Sequence, residues 1–238
     1  MFTVSDRLSS GVKGLNEMLD GGFMPGTTIL ISGQAGSGKT TFAMQFLYDG
    51  AKTDQNGLFI TLEQDKDRLI ADMASVGMNI PKMKSITVIG GSLGEVMRFR
   101  KMVKAKLDDF LSEIEEVVCQ KKIKRVVIDS INLFLMLFEG EEDKRFALLS
   151  LTSMLNKHGC TVMLTCETQE NLAMSWYGFE EFVVDDVITL MNVKLDHYFK
   201  HALSVRKMRG SAHDKSIVSY EITPKGLVVY PDDIVMPG

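Results

Sequence analysis

One stretch of the sequence constrains the fold more than any other, because a strand pattern runs through a glycine-rich loop directly into a helix pattern. The apolar residues 27–32 predict the strand and residues 39–52 predict the helix. Between them lies Gly33-Gln34-Ala35-Gly36-Ser37-Gly38-Lys39-Thr40, which matches G-x-x-x-x-G-K-[ST] at every fixed position. A strand, a loop of this type and a helix in succession are typical of α/β domains.

The rest of the chain alternates apolar strands with amphipathic helices. The sequence predicts further strands at residues 57–62, 85–89, 125–129, 161–166 and 186–191, and a helix at 66–76. Alternating residues near 202–208 and 217–222 predict an antiparallel ribbon. We expect one α/β domain with a mostly parallel sheet flanked by helices, divided into an N-terminal segment (1–26), a core (27–193), a C-terminal β-ribbon (194–230) and a loosely held tail (231–238).

Composition excludes several classes of protein. The 238 residues are 45% hydrophobic and 24% charged, which is typical of a globular chain rather than a disordered one. With 27 basic and 31 acidic residues the net charge is −4, so the chain as a whole does not attract polyanions. The three cysteines lack the paired spacing of a zinc site, and no apolar run approaches the ~20 residues of a membrane span. We therefore expect a cytoplasmic protein with reduced thiols and no membrane span.

The glycine-rich loop predicts a nucleotide site. Glycines let backbone N–H groups converge on phosphate oxygens, and the N-terminus of the following helix adds the positive end of its dipole. In this pattern the lysine, Lys39, contacts the β- and γ-phosphates, and the hydroxyl of Thr40 is a ligand of Mg²⁺. The predicted nucleotide-binding residues are Gly33, Gln34, Ala35, Gly36, Ser37, Gly38, Lys39, Thr40 and Thr41. The expected cofactors are ATP and Mg²⁺.

Carboxylates follow two other predicted strands. Asp129 ends the apolar strand 125–129, and Glu63 follows the strand 57–62. Since parallel strands present their carboxyl ends to the ligand crevice, Asp129 is the candidate metal ligand and Glu63 the candidate group that polarises the attacking water. Cys166 and Glu167, at the end of the next strand, are candidates for sensing phosphate.

The predicted ribbon carries a pair of cations. Because side chains alternate along a strand, Lys207 and Arg209 are expected on one face, with Arg206 and Met208 on the other. Phosphoryl transfer is accelerated when a cation is supplied to the γ-phosphate, so we treat Lys207 and Arg209 as candidate catalytic residues. The alternative is a basic strand edge that discourages aggregation.

Residues 94–120 predict one long helix with a single apolar stripe, which begins at a capping box of Ser92 and Glu95. Its basic residues precede its acidic ones, an order that opposes the helix macrodipole. The charge run is interpreted as a solvated face, with a docking surface for another chain as the alternative.

Taken together, these motifs resemble the KaiC-like branch of the RecA superfamily of ATPases. The resemblance rests on Gly11-Val12-Lys13-Gly14-Leu15-Asn16-Glu17-Met18-Leu19 before the loop, Phe42-Ala43-Met44-Gln45-Phe46-Leu47 after it, the two strands that end in acids, and Lys207-Met208-Arg209-Gly210-Ser211-Ala212-His213. It implies a RecA-like P-loop NTPase core that assembles as a homo-oligomeric ring, usually a hexamer, with ATP between subunits. It also implies that Glu63 is the catalytic carboxylate and that Lys207, Arg209 and His213 reach the neighbour's nucleotide.

Two positions depart from that family pattern. Gln64 stands where the family usually has a second acid after Glu63, and Glu181-Phe182 stands where the self-phosphorylating half of KaiC has adjacent Ser and Thr. The first departure bears on the turnover rate. The second predicts that this chain does not phosphorylate itself.

Three functions compete at this point. The first is an ATPase that switches a ring between states for an unknown protein partner. The second is a RecA/RadA-like DNA-handling ATPase, which would need basic loops. Residues 158–193 contain no Lys or Arg, and their acidic members are Glu167, Glu170, Glu180, Glu181, Asp185 and Asp186, so nucleic acid is not the expected partner. The third is an ATP-binding scaffold that hydrolyses almost nothing, which Gln64 keeps open.

Overall fold

The computed structural model describes residues 7–169, 173–195 and 197–236. Its strands are β1 (Thr28–Gly33), β2 (Asn56–Thr61), β3 (Ile86–Gly90), β4 (Ile123–Asp129), β5 (Thr161–Glu167), β6 (Asp186–Leu195), β7 (Tyr198–Met208), β8 (Ile217–Thr223) and β9 (Gly226–Ile234). Its helices are α1 (Leu15–Met18), α2 (Lys39–Ala51), α3 (Lys66–Ser75), α4 (Leu93–Ala105), α5 (Leu107–Lys121), α6 (Ile131–Leu135), α7 (Glu141–Lys157) and α8 (Glu180–Val183), with a 3₁₀ turn at Ile80–Lys82.

These strands form one nine-stranded sheet in the order β3-β2-β4-β5-β1-β6-β7-β8-β9. The strands from β3 to β6 in that order are parallel, whereas β6 to β9 are joined by antiparallel pairing. The predicted α/β class, with a mostly parallel sheet and a C-terminal antiparallel part, is confirmed. Strand β6 joins the two parts, because it pairs in parallel with β1 and antiparallel with β7.

Both faces of the sheet are covered. Ile29 and Ile31 of β1 belong to one core cluster, with Phe42 and Phe46 of α2, while Leu30 between them belongs to the other. That second cluster includes apolar residues of α5, α6 and α7. Burial on both faces explains why β1 is continuously apolar instead of alternating with polar residues.

The predicted single helix over residues 94–120 is wrong. The chain leaves the helix at Lys106 (φ −162°, ψ 118°), and α4 and α5 fold back on each other so that Arg98 pairs with Glu113, with 2.5 Å between Nη2 and Oε1. The segregated charges therefore belong to two helices. Each has at least one acid in its first turn and a lysine in its last, an order of charges that is favourable to the macrodipole of each helix. Ser92 does cap α4, since its hydroxyl accepts a 3.1 Å bond from the Glu95 amide.

The C-terminal boundaries also differ from the prediction. Strand β9 continues through Ile234, and the buried Val235 donates its amide to the Ile217 carbonyl at 2.8 Å. The expectation of a loosely held tail from residue 231 is therefore wrong as far as Val235. Residues 237 and 238 of that predicted tail, and residues 1–6 of the predicted N-terminal segment, lie outside the described residues.

A β-bulge interrupts the pairing of β6 and β7. Val187 lies opposite Lys207 and Ile188 opposite Val205, so Arg206 has no counterpart. The bulge changes the expected alternation, because Arg206 is exposed while Met208 is buried in the core. The prediction that these two side chains share a face is wrong.

Candidate active site

The predicted phosphate loop joins the carboxyl end of β1 to the first residue of α2. Gly36 and Gly38 have φ of 77° and 87°, a conformation that side chains with a Cβ rarely adopt. At Gly38 a Cβ would also come within 2.7 Å of Ile222 Cδ1. The loop therefore requires glycine at this position because of its backbone conformation, whereas the end of the Ile222 side chain could move aside.

Lys39 is buried beneath this loop. Its ammonium donates to the carbonyl oxygens of Gly33 and Gln34, both at 3.0 Å, and Nζ lies 4.0 Å from Glu167 Oε1. Burial lowers the pKa of Lys39, and the nearby carboxylates of Glu167, Asp129 and Glu63 oppose that shift. A cation held this way is positioned for anionic phosphate oxygens.

Asp129 and Thr40 are adjacent, as expected from the sequence. The Thr40 hydroxyl donates to Asp129 Oδ2 at 2.8 Å, and the Thr165 hydroxyl donates to Oδ1. Burial raises the pKa of Asp129, while these two hydrogen bonds lower it. Carboxylate and hydroxyl oxygens are ligands that Mg²⁺ accepts, and Mg²⁺ usually takes only one or two protein ligands beside phosphates and water. The pair therefore fits the predicted metal.

Glu63 lies at the same end of the sheet. The chain enters this position from β2, and the Leu62 amide donates to the Asp129 carbonyl at 2.8 Å. Burial raises the pKa of Glu63, and the charges of Asp129 and Glu167 raise it further. Three carboxylates and Lys39 are thus close enough to perturb one another.

These residues open onto one cleft of about 690 Å³. Its lining includes most of the predicted site residues: Ala35, Gly36, Gly38, Lys39, Thr40, Thr41, Glu63 and Asp129. Gln64 lines the same cleft, and its side-chain amide donates to the Asp72 carboxylate. Gly33, Gln34 and Ser37 belong to the same loop but are not among the residues that line the cleft. The Ser37 hydroxyl is buried without a hydrogen-bond partner among the described residues.

Sequence reasoning missed several contributors to the site. Thr165 lies beside Asp129 because Ile128 pairs with Leu164 in the neighbouring strand, so a hydroxyl residue near the end of β5 was the available signal. No local sequence pattern indicates that Tyr220 contacts the phosphate loop. It belongs to β8, and its hydroxyl donates to the Ser37 carbonyl at 2.6 Å. Arg68 of α3 adds a cation to the lining of the cleft.

Lys207 and Arg209 lie elsewhere. Lys207 donates to the carbonyls of Glu181 and Val184 at 2.8 and 2.6 Å, and Arg209 Nη1 lies 3.3 Å from Asp185 Oδ1 with 61% of its side chain exposed. Burial, and then the charge of Arg209, lowers the pKa of Lys207. None of the described side chains that line the cleft comes from this pair.

His213, the third residue assigned to this group, is only partly exposed. Its Nε2 atom is buried without a hydrogen-bond partner among the described residues, and the next residue, Asp214, donates its amide to the Met18 carbonyl at 2.9 Å. Of the acidic residues noted within 158–193, Glu170 lies outside the described residues and the others lie within them.

A family model described as "ATPase: KaiC" matches residues 8–234. The chain belongs to the KaiC ATPase family. The match extends from the N-terminal motif through β9, so the phosphate loop, both strands ending in acids and the cationic strand all fall within it. ATP binding by an ATPase domain is thus the family-level function of this chain. Among the described helices, none combines the length and apolar character needed to cross a bilayer.

Similar proteins fall into two groups by length. The circadian clock protein KaiC3 of Synechocystis is 31% identical over 95% of this chain but only 46% of its own length. A UPF0273 protein of Thermotoga maritima is 31% identical over 95% of this chain and 97% of its own. The chain therefore spans about half the length of the KaiC proteins it matches and nearly the whole of the UPF0273 protein.

A solved structure is similar over nearly the whole fold. A KaiC-like protein from Pyrococcus horikoshii superposes with a TM-score of 0.82 at 37% identity, covering 94% of this chain and 99% of that one. The RecA-like fold expected from the sequence is confirmed, and the chain forms a KaiC-like domain of the RecA superfamily.

Proposed function

We propose that this chain hydrolyses ATP with Mg²⁺ in a homo-oligomeric ring, expected to be a hexamer, whose active sites are each shared by two copies. The ring would act as a nucleotide-dependent switch for a protein partner. The observation that carries the proposal is the separation of two groups of residues. One chain brings together Lys39, Thr40, Glu63 and Asp129, but its cations Lys207 and Arg209 lie outside that cleft.

The register of the sheet explains this separation. Arg209 contacts Asp185, whose carboxylate accepts the amide of Thr28 at the amino end of β1. The phosphate loop leaves the carboxyl end of β1 at Gly33, five residues further on, which is roughly 16 Å of strand. Lys207 and Arg209 therefore serve a phosphate group only if it is bound to another copy.

Within the cleft each residue has a separate task. Backbone amides of the loop and the Lys39 ammonium bind phosphate oxygens, while Thr40 and Asp129 would hold Mg²⁺, which neutralises charge on those oxygens when bound. Glu63 orients a water and accepts its proton, a role supported by its raised pKa. Arg209 of a neighbouring copy stabilises the charge that develops during transfer.

A mixing experiment tests the shared site. Lys39→Ala and Arg209→Ala are each expected to lower phosphate release by about a hundredfold or more. In a mixed ring, some interfaces combine an intact Lys39 with an intact Arg209 from the next copy, so activity should partly return. Light scattering with and without Mg-ATP measures assembly alongside the phosphate assay.

Arg206→Ala is the matched control for this test, because Arg206 is an exposed arginine at the adjacent bulge. We expect it to hydrolyse ATP at the unchanged rate. A mixture that stays inactive although subunit exchange is demonstrated would overturn the shared site. Hydrolysis by an isolated, unassembled chain at the full rate would also overturn it.

A second candidate is an ATP-binding scaffold with almost no turnover. The observation in its favour is Gln64, whose amide is bonded to Asp72 where the family pattern has a second acid. Phosphate release no faster than that of Lys39→Ala, together with tight ATP binding, would favour the scaffold.

A further inference from the structure

At the other end of the sheet from the phosphate loop, three side chains form an ordered contact that the proposed ATPase does not use. Cys119 is in the last turn of α5 and His158 follows α7, just before the amino ends of β4 and β5. His158 Nδ1 lies 3.7 Å from Cys119 Sγ, and its Nε2 lies 2.6 Å from Glu115 Oε1. Cys119 as nucleophile, His158 as base and Glu115 as the carboxylate that orients the base thus form one chain of contacts.

The local geometry follows from the helix. Glu115 and Cys119 are four residues apart in α5 and so project from the same face, one turn apart. The imidazole of His158 contacts both, one with each ring nitrogen. Because an ionised carboxylate can only accept, Nε2 carries a hydrogen and Nδ1 of a neutral ring is left with its lone pair towards the thiol.

This arrangement does not suit a metal ion. The two ring nitrogens point in different directions, so one cation cannot contact both Cys119 and Glu115 through the imidazole. Among the described residues no group of three or more His, Cys, Asp or Glu side chains could hold a metal. A thiol hydrogen-bonded to an oriented imidazole is instead the arrangement that activates cysteine for nucleophilic attack.

Accessibility distinguishes Cys119 from the other two thiols. Cys119 is exposed, whereas Cys160 and Cys166 are buried. Burial raises the pKa of Cys160 to about 11 and raises that of Cys166 as well, which keeps both protonated and unreactive. The folded protein therefore presents one exposed thiol with a base beside it, and its two buried thiols serve as unreactive controls within the same chain.

We propose that Cys119 is a nucleophilic thiol, activated by His158, that undergoes exchange with small disulfides from solution. The proton of Sγ passes to Nδ1 of His158, and the thiolate attacks one sulfur of the disulfide. A new S–S bond to Cys119 forms as the bond within the reagent breaks. Cys119 is oxidised to a mixed disulfide, and the departing half of the reagent is reduced and leaves as a thiolate. The proton held by His158 passes to that thiolate or, where the thiolate is a weak base, to water.

The test uses the full chain and 5,5′-dithiobis(2-nitrobenzoate), whose released thiolate is measured by absorbance at pH 7. We expect one fast-reacting thiol per chain, lost in Cys119→Ser. Its rate constant should exceed that of the same chain unfolded in urea by about tenfold. The factor is modest because a thiolate becomes less nucleophilic as it becomes less basic. A native rate equal to the unfolded rate would overturn the proposal.

Variants of the partners separate activation from mere exposure. His158→Gln should slow the reaction about tenfold, while His197→Gln, which changes an exposed histidine on the β6–β7 hairpin, should leave it unchanged. Glu115 acts through His158, so Glu115→Ala should slow the reaction and Glu115→Gln, which keeps an acceptor oxygen, should restore it. Equal rates for the unchanged chain and His158→Gln, with unchanged melting temperatures, would overturn the role of His158.

Discussion

The phosphate cleft and the end of β7 both concentrate charged side chains, yet they are built differently. In the cleft, charged groups from four segments converge on one open space, and burial lowers the pKa of Lys39 and raises those of Glu63 and Asp129. At the end of β7, Lys207 donates to the backbone carbonyls of Glu181 and Val184, while Arg209 contacts Asp185 and is largely exposed.

The difference teaches which region can act alone. The cleft brings together, within one chain, the residues that we propose bind phosphate and activate water. The end of β7 offers two cations that do not line the phosphate cleft, so in the proposed mechanism their chemistry depends on a surface from another copy. Variants in the first region should therefore act on binding or chemistry in every state of assembly, and variants in the second only where copies meet.

The largest effect is expected from Glu63→Gln. Hydrolysis should fall by about a thousandfold, because the amide cannot accept a proton from water, while ATP affinity changes little since the water is not part of ground-state binding. Single-turnover phosphate release and calorimetric ATP titration measure the two quantities. Equal turnover in the variant and the unchanged chain would move the catalytic role to another group in the cleft.

The next comparison sets two lysines against each other. Lys39→Ala should weaken ATP binding by about a hundredfold, because a buried ammonium aimed at phosphate is removed. Lys207→Ala should leave the affinity of the unassembled chain within about threefold. Calorimetric ATP titration of both variants measures the two affinities. A comparable loss in Lys207→Ala would mean that the end of β7 contributes to binding within its own chain.

A smaller effect concerns stability at the end of β7. Asp186 is buried, its Oδ2 has no hydrogen-bond partner among the described residues, and burial raises its pKa to about 7. Between about pH 4 and pH 7 the unfolded chain loses this proton while the folded chain keeps it, so the free energy of unfolding falls as pH rises. Below that window both states are protonated, and above it the penalty is constant.

Asp186→Asn removes this titration. The unfolding free energy of the variant, relative to that of the unchanged chain, should be higher at pH 8 than at pH 5 by roughly 2 kcal/mol. Urea denaturation at both pH values gives the double difference, in which the contributions of all other acids cancel. A difference near zero would show that Asp186 is ionised in the folded chain already at pH 5.

The smallest effect is expected from Gln64→Glu. If a second acid supports Glu63, turnover should rise by about threefold or stay unchanged, since position 64 lines the cleft but the new carboxylate loses the bond to Asp72 and is repelled by it. Steady-state phosphate release measures it, with Gln64→Ala as the control for loss of the amide. A large fall in turnover would contradict a supporting role for an acid at this position.

Local patterns predicted the parts of the site that depend on local sequence. The loop from Gly33 to Thr40 and the acid ending β4 both follow apolar strands, and parallel strands must bring their carboxyl ends to one edge. The same logic located Glu63 correctly at the cleft. The roles assigned to Lys207, Arg209 and His213 came from family resemblance and spacing, and they stay predictions.

The remaining features depend on contacts that no short pattern contains. A continuous apolar stripe hid the break at Lys106, although the order of charges on either side was the correct signal for two helices. The bulge at Arg206 arises from pairing with β6, and the continuation of β9 past residue 230 arises from pairing with β8. Both depend on the neighbouring strand rather than on the segment itself.

The contact of β8 with the phosphate loop has a consequence for synthesis of the chain on the ribosome. The Ser37 carbonyl is paired by Tyr220, 183 residues later, and Ile222 packs against Gly38. A nascent chain whose phosphate loop has already left the ribosome still lacks β8, the strand that contacts this loop. The nucleotide site is therefore not complete until β8 has been synthesised, and ATP is available as a stabilising ligand only to chains translated at least that far.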